Sequence, residues 1–479
     1  MAKKLEKITP LEEDFSKWYL DVIKNGDLIS YGKARGTIIF KPLSYGIWEN
    51  IQKNLDIEFK KQGVKNVYFP LLIPDSLIQK EKDHLEGFNP ELATVTEVGG
   101  KPLTEKYYIR PTSEVLFSTY FKDNVESYND LPLIYNQWAN VIRWEKTTNP
   151  FLRTTEFLWQ EGHTVHADAL EARKLTKTML RIYANFLKKY LSLPVIQGKK
   201  TPREKFSGAC STYTIEAMMK DGRALQAGTS HYLSQNFTKV FDITFKNKEN
   251  QREYAYGTSW GVTTRLIGAL IMAHGDDRGI IIPPRVAPVQ IDVLEIFGHK
   301  DPKVKEFAQE VKKYLSKFFR VELDSSNKNP GFKASNSEIH GTPLRIEIGS
   351  KEAETKEIIL IRRDTLEKQT IKFDKSIKTT IKKLFDDIHK NLYNQAHKRM
   401  IDNIVTTNDY QEFKQKIAEG KWVMIPFCGD ETAEEFIQQE TGATARCIPF
   451  KDPIKINKKS SCVINGTETK RNVIFAKSY

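Results

Sequence analysis

The stretch Arg143-Trp144-Glu145-Lys146, followed by Pro150-Phe151-Leu152-Arg153-Thr154-Thr155-Glu156-Phe157-Leu158-Trp159-Gln160-Glu161-Gly162-His163, alternates charged with aromatic side chains. Each half has the alternation typical of a β-strand. The link Thr147-Thr148-Asn149-Pro150 is composed of turn-forming residues. The stretch therefore predicts a hairpin that aims its charged side chains at one polyanionic ligand.

The residue types of this hairpin suit a nucleotide. Arg143 and Arg153 can each bind phosphate in a bidentate manner. Glu145 can accept a hydrogen bond from an adenine amino group, and Phe157 can stack on the base. A basic hairpin is more often a solvated surface feature. The regular alternation with aromatic rings, which solubility does not require, favours the nucleotide.

The same residues resemble motif 2 of the class II aminoacyl-tRNA synthetases. Arg143-Trp144-Glu145 and Arg153-Thr154-Thr155-Glu156-Phe157 carry the resemblance, and residues 157–163 are similar to the form found in the prolyl-tRNA synthetase family. Further matches cover most of the chain. The resemblance implies an α/β (α+β) fold class, with an antiparallel-sheet catalytic domain, an α/β anticodon-binding domain and a small α+β C-terminal domain.

Domain boundaries follow from the same resemblance and from the periodicity. Residues 1–285 would form the catalytic domain with motifs 1, 2 and 3. Alternating strand and helix patterns begin near Pro288 and predict a compact α/β domain, assigned as the anticodon-binding domain over 286–392. Residues 393–479 resemble a zinc-binding C-terminal domain of archaeal and eukaryotic-type members, with degenerate ligands.

Composition sets the broad class. The chain has 479 residues, 39% hydrophobic and 28% charged, as expected for a soluble globular protein. Apolar runs are too short for a membrane span, and residues 1–7 are too polar for a signal peptide, so a cytoplasmic location and no membrane partner are expected. The net charge of +13 indicates a polyanionic partner, although a Lys-rich composition explains it equally well.

A helix over 44–62 and a strand at Val67-Tyr68-Phe69-Pro70 resemble motif 1, which builds the dimer interface in class II synthetases. The resemblance implies a homodimer with Pro70 at the interface. Residues 107–114 predict a strand entering a helix, with Pro111 in the first helical turn. Helix capping by Thr112 and Glu114 is an equally good explanation of that stretch.

The resemblance assigns two sets of ligand-binding residues. The proline site would consist of Thr112, Glu114, Arg143, Trp159, Glu161, His163, Phe206 and His231. In that site, Thr112, Glu114 and His231 would fix the amine, since proline presents a secondary ammonium with two N–H donors. The ATP site would consist of Arg143, Glu145, Arg153, Thr154, Phe157, Gln226, Thr229, Thr263 and Arg265.

Catalysis implied by the resemblance has two steps. The proline carboxylate attacks the α-phosphate of ATP, and the terminal adenosine of tRNA(Pro) then takes the prolyl group. Arg143, Arg265 and substrate-bound Mg²⁺ would act by positioning and electrostatics. Arg265 stands at a predicted helix start in residues 259–272, which look like motif 3. Cys210 as a nucleophile is a poor alternative, because no base or orienting group is evident nearby.

The C-terminal residues depart from the family pattern at the metal. Cys428 and Cys462 remain, while Ala433 and Asn465 stand where the family usually has Cys. A structural zinc needs four good ligands, so no zinc and no other protein-bound metal is expected. The final residue, Tyr479, resembles a terminal Tyr whose carboxylate approaches the active site in this subgroup.

Two further expectations concern tRNA. Arg345 and Glu347 alternate with aliphatic residues on one predicted strand and are candidates for anticodon contacts, although solvated strand charges are nearly as good an explanation. The interval from Glu161 to Trp260 is filled by catalytic-domain sequence and leaves no room for an editing insertion. An apolar proline pocket rejects a smaller side chain by only about 1–3 kcal/mol per missing methylene, so alanine should be misactivated. Without an editing insertion, a separate trans-editing deacylase is an expected partner.

Two other classes of function fit the sequence less well: a catalytically inactive paralogue and a synthetase for another amino acid. A catalytically dead paralogue that binds tRNA usually loses adenylation residues, whereas the arginines of the predicted ATP site are present. A threonyl enzyme would need an active-site zinc set, and a seryl enzyme a long N-terminal coiled coil; neither is evident. The sequence thus predicts a proline–tRNA ligase.

Overall fold

A computed structural model describes residues 8–80, 92–454 and 460–479. The polar N-terminal residues 1–7, on which the absence of a signal peptide was argued, lie outside the described residues. In the described ranges, no helix combines the length and apolar character that a membrane span requires.

A central sheet organises the described chain and carries eleven strands there, all but two pairs antiparallel. Their spatial order is Ile404–Thr406, Trp422–Pro426, Asn472–Ala476, Thr444–Pro449, Ile196–Lys199, Ser211–Met218, Ala224–Ser234, Tyr256–Thr263, Glu156–His166, Leu133–Ile142 and Lys65–Asn66. Long helices cover one face and bury an apolar core that includes Phe59, Tyr183 and Trp260. The antiparallel sheet predicted for the catalytic domain is confirmed.

The helices of the described residues are Phe15–Asn25, Pro42–Lys60, Asp75–Gln79, Glu114–Asn124, Ala169–Tyr190, Asn236–Val240, Arg265–His274, Pro302–Leu315, Pro330–His340, Ser350–Thr355, Ile377–Asp402, Tyr410–Ala418 and Glu431–Thr441, with a 3₁₀ turn at Tyr128–Asp130. Smaller sheets pair Ile29–Tyr31 with Ile38–Phe40, Thr244–Lys246 with Arg252–Tyr254, and Ser460–Ser461 with Glu468–Thr469. A further sheet has the order Leu72–Pro74, Lys101–Ile109 and Thr94–Val98.

A separate five-stranded sheet follows the catalytic region. Its order is Val321–Asp324, Ile291–Glu295, Leu344–Ile348, Glu357–Arg362 and Lys368–Lys372. The first three strands are parallel to one another, and each of the last two is antiparallel to the strand before it in this order. Helix Pro302–Leu315, capped by Asp301, packs its apolar face on this sheet through Phe307 and Val311. The α/β alternation predicted from Pro288 onward is therefore present.

The C-terminal residues extend the central sheet. Strand Thr444–Pro449 pairs with Ile196–Lys199 of the catalytic region, so one sheet runs through both. Glu216 is fully buried at this junction and accepts from the Nε and Nη2 atoms of Arg446 at 3.1 and 2.8 Å. The Nζ atom of Lys200 lies 3.0 Å from the same carboxylate. Backbone pairing and a buried ion cluster thus hold the C-terminal region to the catalytic core.

The spacing of Asp168 and Glu171 predicts an N-cap with a capping box at the start of helix Ala169–Tyr190. Asp168 accepts from the backbone N–H of Glu171, as predicted for the N-cap. The reciprocal half of the expected capping box is not formed, because the Glu171 carboxylate lies 3.0 Å from Nδ1 of the buried His166. The Glu171 side chain thus pairs with the last residue of the preceding strand instead of the backbone at its own helix start.

Three local predictions were wrong. Residues 67–70 are not a strand: the Val67 N–H donates to Asn136 O at 2.8 Å, and Arg110 Nη1 takes the carbonyl of Phe69 at 2.7 Å. A backbone hydrogen bond and a side-chain hydrogen bond hold this segment in place of the regular ladder of a strand. Pro111 also precedes the helix, which begins at Glu114 with no side-chain cap on its first turn.

The third error concerns the connection of the hairpin around Arg143: two antiparallel strands are present as predicted, but the turn between them is longer than residues 147–150. Its strands, Leu133–Ile142 and Glu156–His166, pair with Ile142 opposite Glu156. Residues 143–155 therefore form one long connecting loop, and Arg143 and Glu145 lie in it rather than on a strand. At the base of the loop the Arg143 N–H donates to Thr155 O at 2.9 Å, and further out an isolated bridge joins Asn149 to Arg153.

Candidate active site

A cavity of about 350 Å³ opens over the middle of the central sheet, a size within the usual range for small-ligand sites. Its floor is formed by strands Glu156–His166, Ala224–Ser234 and Tyr256–Thr263, and its walls by the loops over 143–155 and 204–207. Every residue predicted for the proline and ATP sites lines this one cavity. Motifs more than 150 residues apart in the chain thus meet in one place.

Arg143 is held at one side of the cavity. Its Nε atom donates to the carbonyl of Pro111 at 3.0 Å, and its guanidinium lies 5.4 and 5.3 Å from the ring centres of Phe157 and Trp159. Burial lowers the pKa of Arg143 to about 10, partly opposed by the charges of Glu114 and other carboxylates. Arg143 therefore stays cationic at neutral pH in a desolvated position.

Arg265 supplies a second buried cation. It is the first residue of helix Arg265–His274, and its side chain donates to the carbonyls of Leu152 at 3.2 Å and Gln226 at 3.4 Å. Burial, followed by the like charge of Arg153, lowers the pKa of Arg265. The helix start predicted at Arg265 is confirmed. Two fixed cations of this kind suit a polyphosphate.

The side chain of Arg153 is held less tightly than those of Arg143 and Arg265. Its side chain is half-exposed, and its Nη1 atom lies 3.8 Å from the carboxylate of Glu145, too far for a good hydrogen bond. An exposed pair of this geometry contributes little to stability. Arg153 can therefore reorient toward an anionic ligand at the mouth of the cavity.

Carboxylates and a histidine gather near Arg143. Glu161 is buried, with Oε2 accepting from the backbone N–H of Ser113 at 3.1 Å and lying 3.0 Å from Nε2 of His163. Burial opposes ionisation of Glu161, but hydrogen bonds from His163 and Ser113 outweigh it and lower the pKa. The Thr112 hydroxyl donates to the Glu114 carboxylate. This side thus presents anionic oxygens to a ligand.

His231 does not present a free nitrogen to the cavity. Its Nδ1 and Nε2 atoms each lie 3.0 Å from a threonine hydroxyl, those of Thr212 and Thr229. Burial, and then His163, lower its pKa to about 3, so the ring is neutral. The ring packs 5.1 Å from that of Phe206. His231 therefore offers ring surface, and the expectation that its nitrogens fix an amine is not supported by this arrangement.

Sequence reasoning missed several lining residues, of which Ser259 is the most informative. In the sheet, Ser259 pairs with His163 on one neighbouring strand and with His231 on the other. Its hydroxyl is buried without a hydrogen-bond partner, as is the indole N–H of Trp159. Alternation along residues 256–263 could have shown that Ser259 faces the cavity, but its neighbours depend on strand register. Thr212, Phe151 and Glu204 were missed as well.

Glu114, Glu161 and His163 could also hold a metal ion, because their ligand atoms lie within 4.8 Å of one another. The same three groups can receive the N–H donors of an ammonium. Glu161 already accepts hydrogen bonds at both carboxylate oxygens. A compact ammonium, which needs no displacement of those bonds, fits this set at least as well as a cation with four strong ligands.

The residues at the family's zinc position do not fit a tetrahedral zinc. Cys428 Sγ lies 3.4 Å from Nδ2 of Asn465. Ala433 packs in the apolar cluster of this domain and offers no ligand atom. Two thiols and an amide therefore remain of the four ligands a structural zinc requires.

Arg345 and Glu347, the anticodon candidates, are placed away from solvent. Arg345 is 6% exposed, with Nε on Glu347 at 3.0 Å and Nη1 on Glu338 at 2.8 Å. The two charges therefore belong to a buried ion network within the domain. Neither expectation drawn from the sequence, base contacts or solvated strand charges, included this network. Their role in anticodon binding stays an untested prediction.

Tyr479 lies beside the strand that carries Gln226. Its backbone N–H donates to Ala224 O at 3.1 Å, and its hydroxyl donates to Asp221 at 2.6 Å. The chain end is thus anchored two residues along the strand from a cavity-lining side chain.

The antiparallel sheet, and a cavity that combines buried arginines with carboxylates, are the fold and site of a class II aminoacyl-tRNA synthetase. The family model for the tRNA synthetase class II core domain (G, H, P, S and T) matches residues 95–274. The anticodon binding domain model matches residues 285–384, and the prolyl-tRNA synthetase C-terminal model matches 410–479.

Full-length relatives identify the family. A proline–tRNA ligase of Mycoplasmopsis pulmonis is 60% identical over 478 residues, covering 100% of both chains. One of Mycoplasma mobile is 56% identical over 477 residues, covering 100% of this chain and 99% of the relative. A crystal structure of prolyl-tRNA synthetase from Cryptosporidium parvum, complexed with halofuginone and AMPPNP, matches with a TM-score of 0.95 and 38% identity over 99% of each chain.

The chain belongs to the prolyl-tRNA synthetase family. Its activity is that of a proline–tRNA ligase, which activates L-proline with ATP to prolyl-adenylate and transfers proline to the 3′-terminal adenosine of tRNA(Pro). The predicted family, fold class and enzyme class are confirmed. At 479 residues the chain agrees with the expected lack of a large editing insertion.

Proposed function

We propose that the cavity divides its work between two ends, and that Arg143 and Arg265 are the catalytic residues. The observation that carries this proposal is the pair of buried guanidiniums, each fixed by backbone carbonyls and lining the same cavity. Negative charge builds on the α-phosphate during adenylation. Cations already desolvated and oriented stabilise that charge without reorganisation.

ATP would lie along the arginine end. Phe157 and Glu145 hold the adenine, and the half-exposed Arg153 turns toward the outer phosphates. Mg²⁺ arrives with the triphosphate and shares its charge, as it usually does in nucleotide sites. The remaining ATP contacts are assigned to Thr154, Gln226, Thr229 and Thr263, all of which line the cavity.

Proline would lie against the carboxylate end. Its secondary ammonium donates to Glu114 and Glu161, and Thr112 and His163 orient those carboxylates. The ring of proline packs between aromatic surfaces supplied by Trp159, Phe206 and the neutral His231. The proline carboxylate then points toward Arg143, where it can attack the α-phosphate.

The test of this proposal is ATP–pyrophosphate exchange with each of the twenty amino acids. Exchange should be strongest with proline and weak but measurable with alanine. The pocket excludes larger side chains by steric clash, whereas a smaller one loses only about 1–3 kcal/mol per missing methylene. Exchange with no amino acid would instead support a tRNA-binding protein without adenylation activity.

Clearance of alanine is proposed to depend on another protein. Catalytic-domain strands occupy the chain between Glu161 and Trp260, and the described residues there contain no additional domain. Alanyl-tRNA(Pro) made by this chain should therefore persist until a separate deacylase is added. Hydrolysis of alanyl-tRNA(Pro) by the purified chain alone would contradict this.

A homodimer is proposed from the surface around Pro70. Tyr68 is 71% exposed, and Leu71, Leu72 and Tyr120 nearby are also exposed apolar residues. A cluster of this kind commonly marks a protein–protein contact. Light scattering should give the mass of two chains, and Tyr68→Glu should shift it toward one. A monomeric wild-type chain would rule out the dimer.

The remaining assignments concern organisation. We place the catalytic domain at 1–285, the anticodon-binding domain at 286–392 and the C-terminal domain at 393–479. The family matches support this division in outline, since they cover 95–274, 285–384 and 410–479. The C-terminal domain is proposed to keep its fold without zinc, through its apolar cluster and the shared sheet. The protein is proposed to act in the cytoplasm, where tRNA is charged.

A further inference from the structure

Gln137 is a fully buried amide on strand Leu133–Ile142, and it does not line the cavity. Its Oε1 atom accepts from the backbone N–H of Phe69. Its Nε2 atom donates to the Ser113 hydroxyl and to Oε1 of Glu161, each at 3.1 Å. One side chain thus joins the segment before Pro70 to a carboxylate of the proposed proline site.

The bond from Gln137 determines how the Glu161 carboxylate is oriented. Oε2 of Glu161 is held by the Ser113 N–H and by His163, whereas Oε1 accepts from Gln137. A carboxylate fixed at one oxygen can still rotate about that bond. With both oxygens fixed, its remaining lone pairs point in a set direction.

A second path joins the same two regions. The ring of Phe69 lies 4.4 Å from that of Phe117, and Phe117 stacks on the His163 ring at 4.3 Å. Arg110 anchors the Phe69 carbonyl at 2.7 Å. Phe69 therefore reaches Glu161 through Gln137 and His163 through Phe117, so that a shift of residues 67–71 would move both groups.

We propose that Gln137 is a positioning residue that sets Glu161 for the proline ammonium and couples the exposed segment 67–71 to the amino-acid end of the cavity. The inference rests on the proposed proline site. If segment 67–71 is the dimer contact, pairing of two chains fixes Phe69 and, through Gln137, the affinity for proline.

A matched control is available on the same strand. Asn136 is also fully buried, and its Nδ2 atom donates to Oδ1 of Asn66 at 2.9 Å, away from the cavity lining. Gln137→Met and Asn136→Leu each remove one buried amide with little change in volume. Both should lower the urea midpoint, because each leaves former partners unsatisfied.

Only Gln137→Met should change proline binding. We expect its KM for proline in pyrophosphate exchange to rise about tenfold or more, with KM for ATP within about twofold of wild type. Asn136→Leu should leave both KM values near wild type. Equal KM values for proline in the two variants would overturn the inference. Absence of proline-dependent exchange in the wild type would instead contradict the proposed proline site, on which the inference rests.

Gln137→Glu adds a test that a purely structural role would not pass. Two adjacent carboxylates raise the pKa of one of them, so the pair tends to hold a proton as pH falls. A protonated Glu at position 137 can again donate to Glu161. The kcat/KM for proline, relative to wild type, should therefore rise several-fold between pH 8 and pH 6.

The other charged or titratable groups near this pair are Glu114, Arg143 and His163. They are present in both proteins, so the ratio to wild type isolates the introduced carboxylate. A ratio that stays flat with pH, together with an unchanged KM for proline, would show that Gln137 only packs the core.

Discussion

Arg143→Ala should reduce proline-dependent pyrophosphate exchange by about 10³-fold, the scale found when a preorganised stabiliser of transition-state charge is removed. The guanidinium is buried, bonded to the Pro111 carbonyl and stacked beside Phe157 and Trp159. A cation in such surroundings interacts with phosphate more strongly than one in water. Its loss also removes a positive charge that interacts with Glu114 and Glu161.

Two comparisons make the Arg143 result specific. Arg143→Lys keeps the charge but not the planar bidentate geometry, so a smaller loss than for alanine is expected. Arg181→Ala removes an exposed arginine whose guanidinium reaches only Thr178, at 3.4 Å, and should stay within about twofold of wild type. Exchange by Arg143→Ala at more than a tenth of the wild-type rate would show that Arg143 does not stabilise the transition state.

Glu216→Gln should lower the free energy of unfolding by roughly 3–5 kcal/mol, because it leaves buried cations without their counter-charge. Arg446 and Lys200 both lie against this carboxylate and are almost inaccessible to solvent. The variant removes the negative charge while keeping the shape. Urea unfolding followed by tryptophan fluorescence measures the change.

An exposed ion pair provides the contrast for Glu216. Lys398 and Asp402 face each other one turn apart on helix Ile377–Asp402, and both side chains are more than half exposed. Asp402→Asn should cost less than about 1 kcal/mol. Similar unfolding free energies for Glu216→Gln and Asp402→Asn would mean that the junction between catalytic and C-terminal regions does not depend on the buried cluster.

The sequence was most informative where function and local structure share residues. The motif around Arg143 predicted residues that line the cavity. It runs from the loop over 143–155 into strand Glu156–His166, and both elements contribute side chains to the lining. Arg265 was placed at a helix start, and the structure has it there. Side-chain chemistry and local periodicity were sufficient for these features.

Features that depend on distant partners were not predictable. Ser259 became a cavity residue only through its register with two neighbouring strands. Arg345 looked like a surface charge, because nothing in its own strand shows the Glu338 that neutralises it.

The shared sheet has a consequence for how the C-terminal region could change over time. Strand Ile196–Lys199 is covered by Thr444–Pro449, and without residues 404–479 it would become an uncovered edge with free N–H and C=O groups. Such edges promote aggregation of one chain with another. The terminal region therefore protects that edge through its backbone, and this cover does not depend on which residues occupy the positions of Cys428 and Cys462.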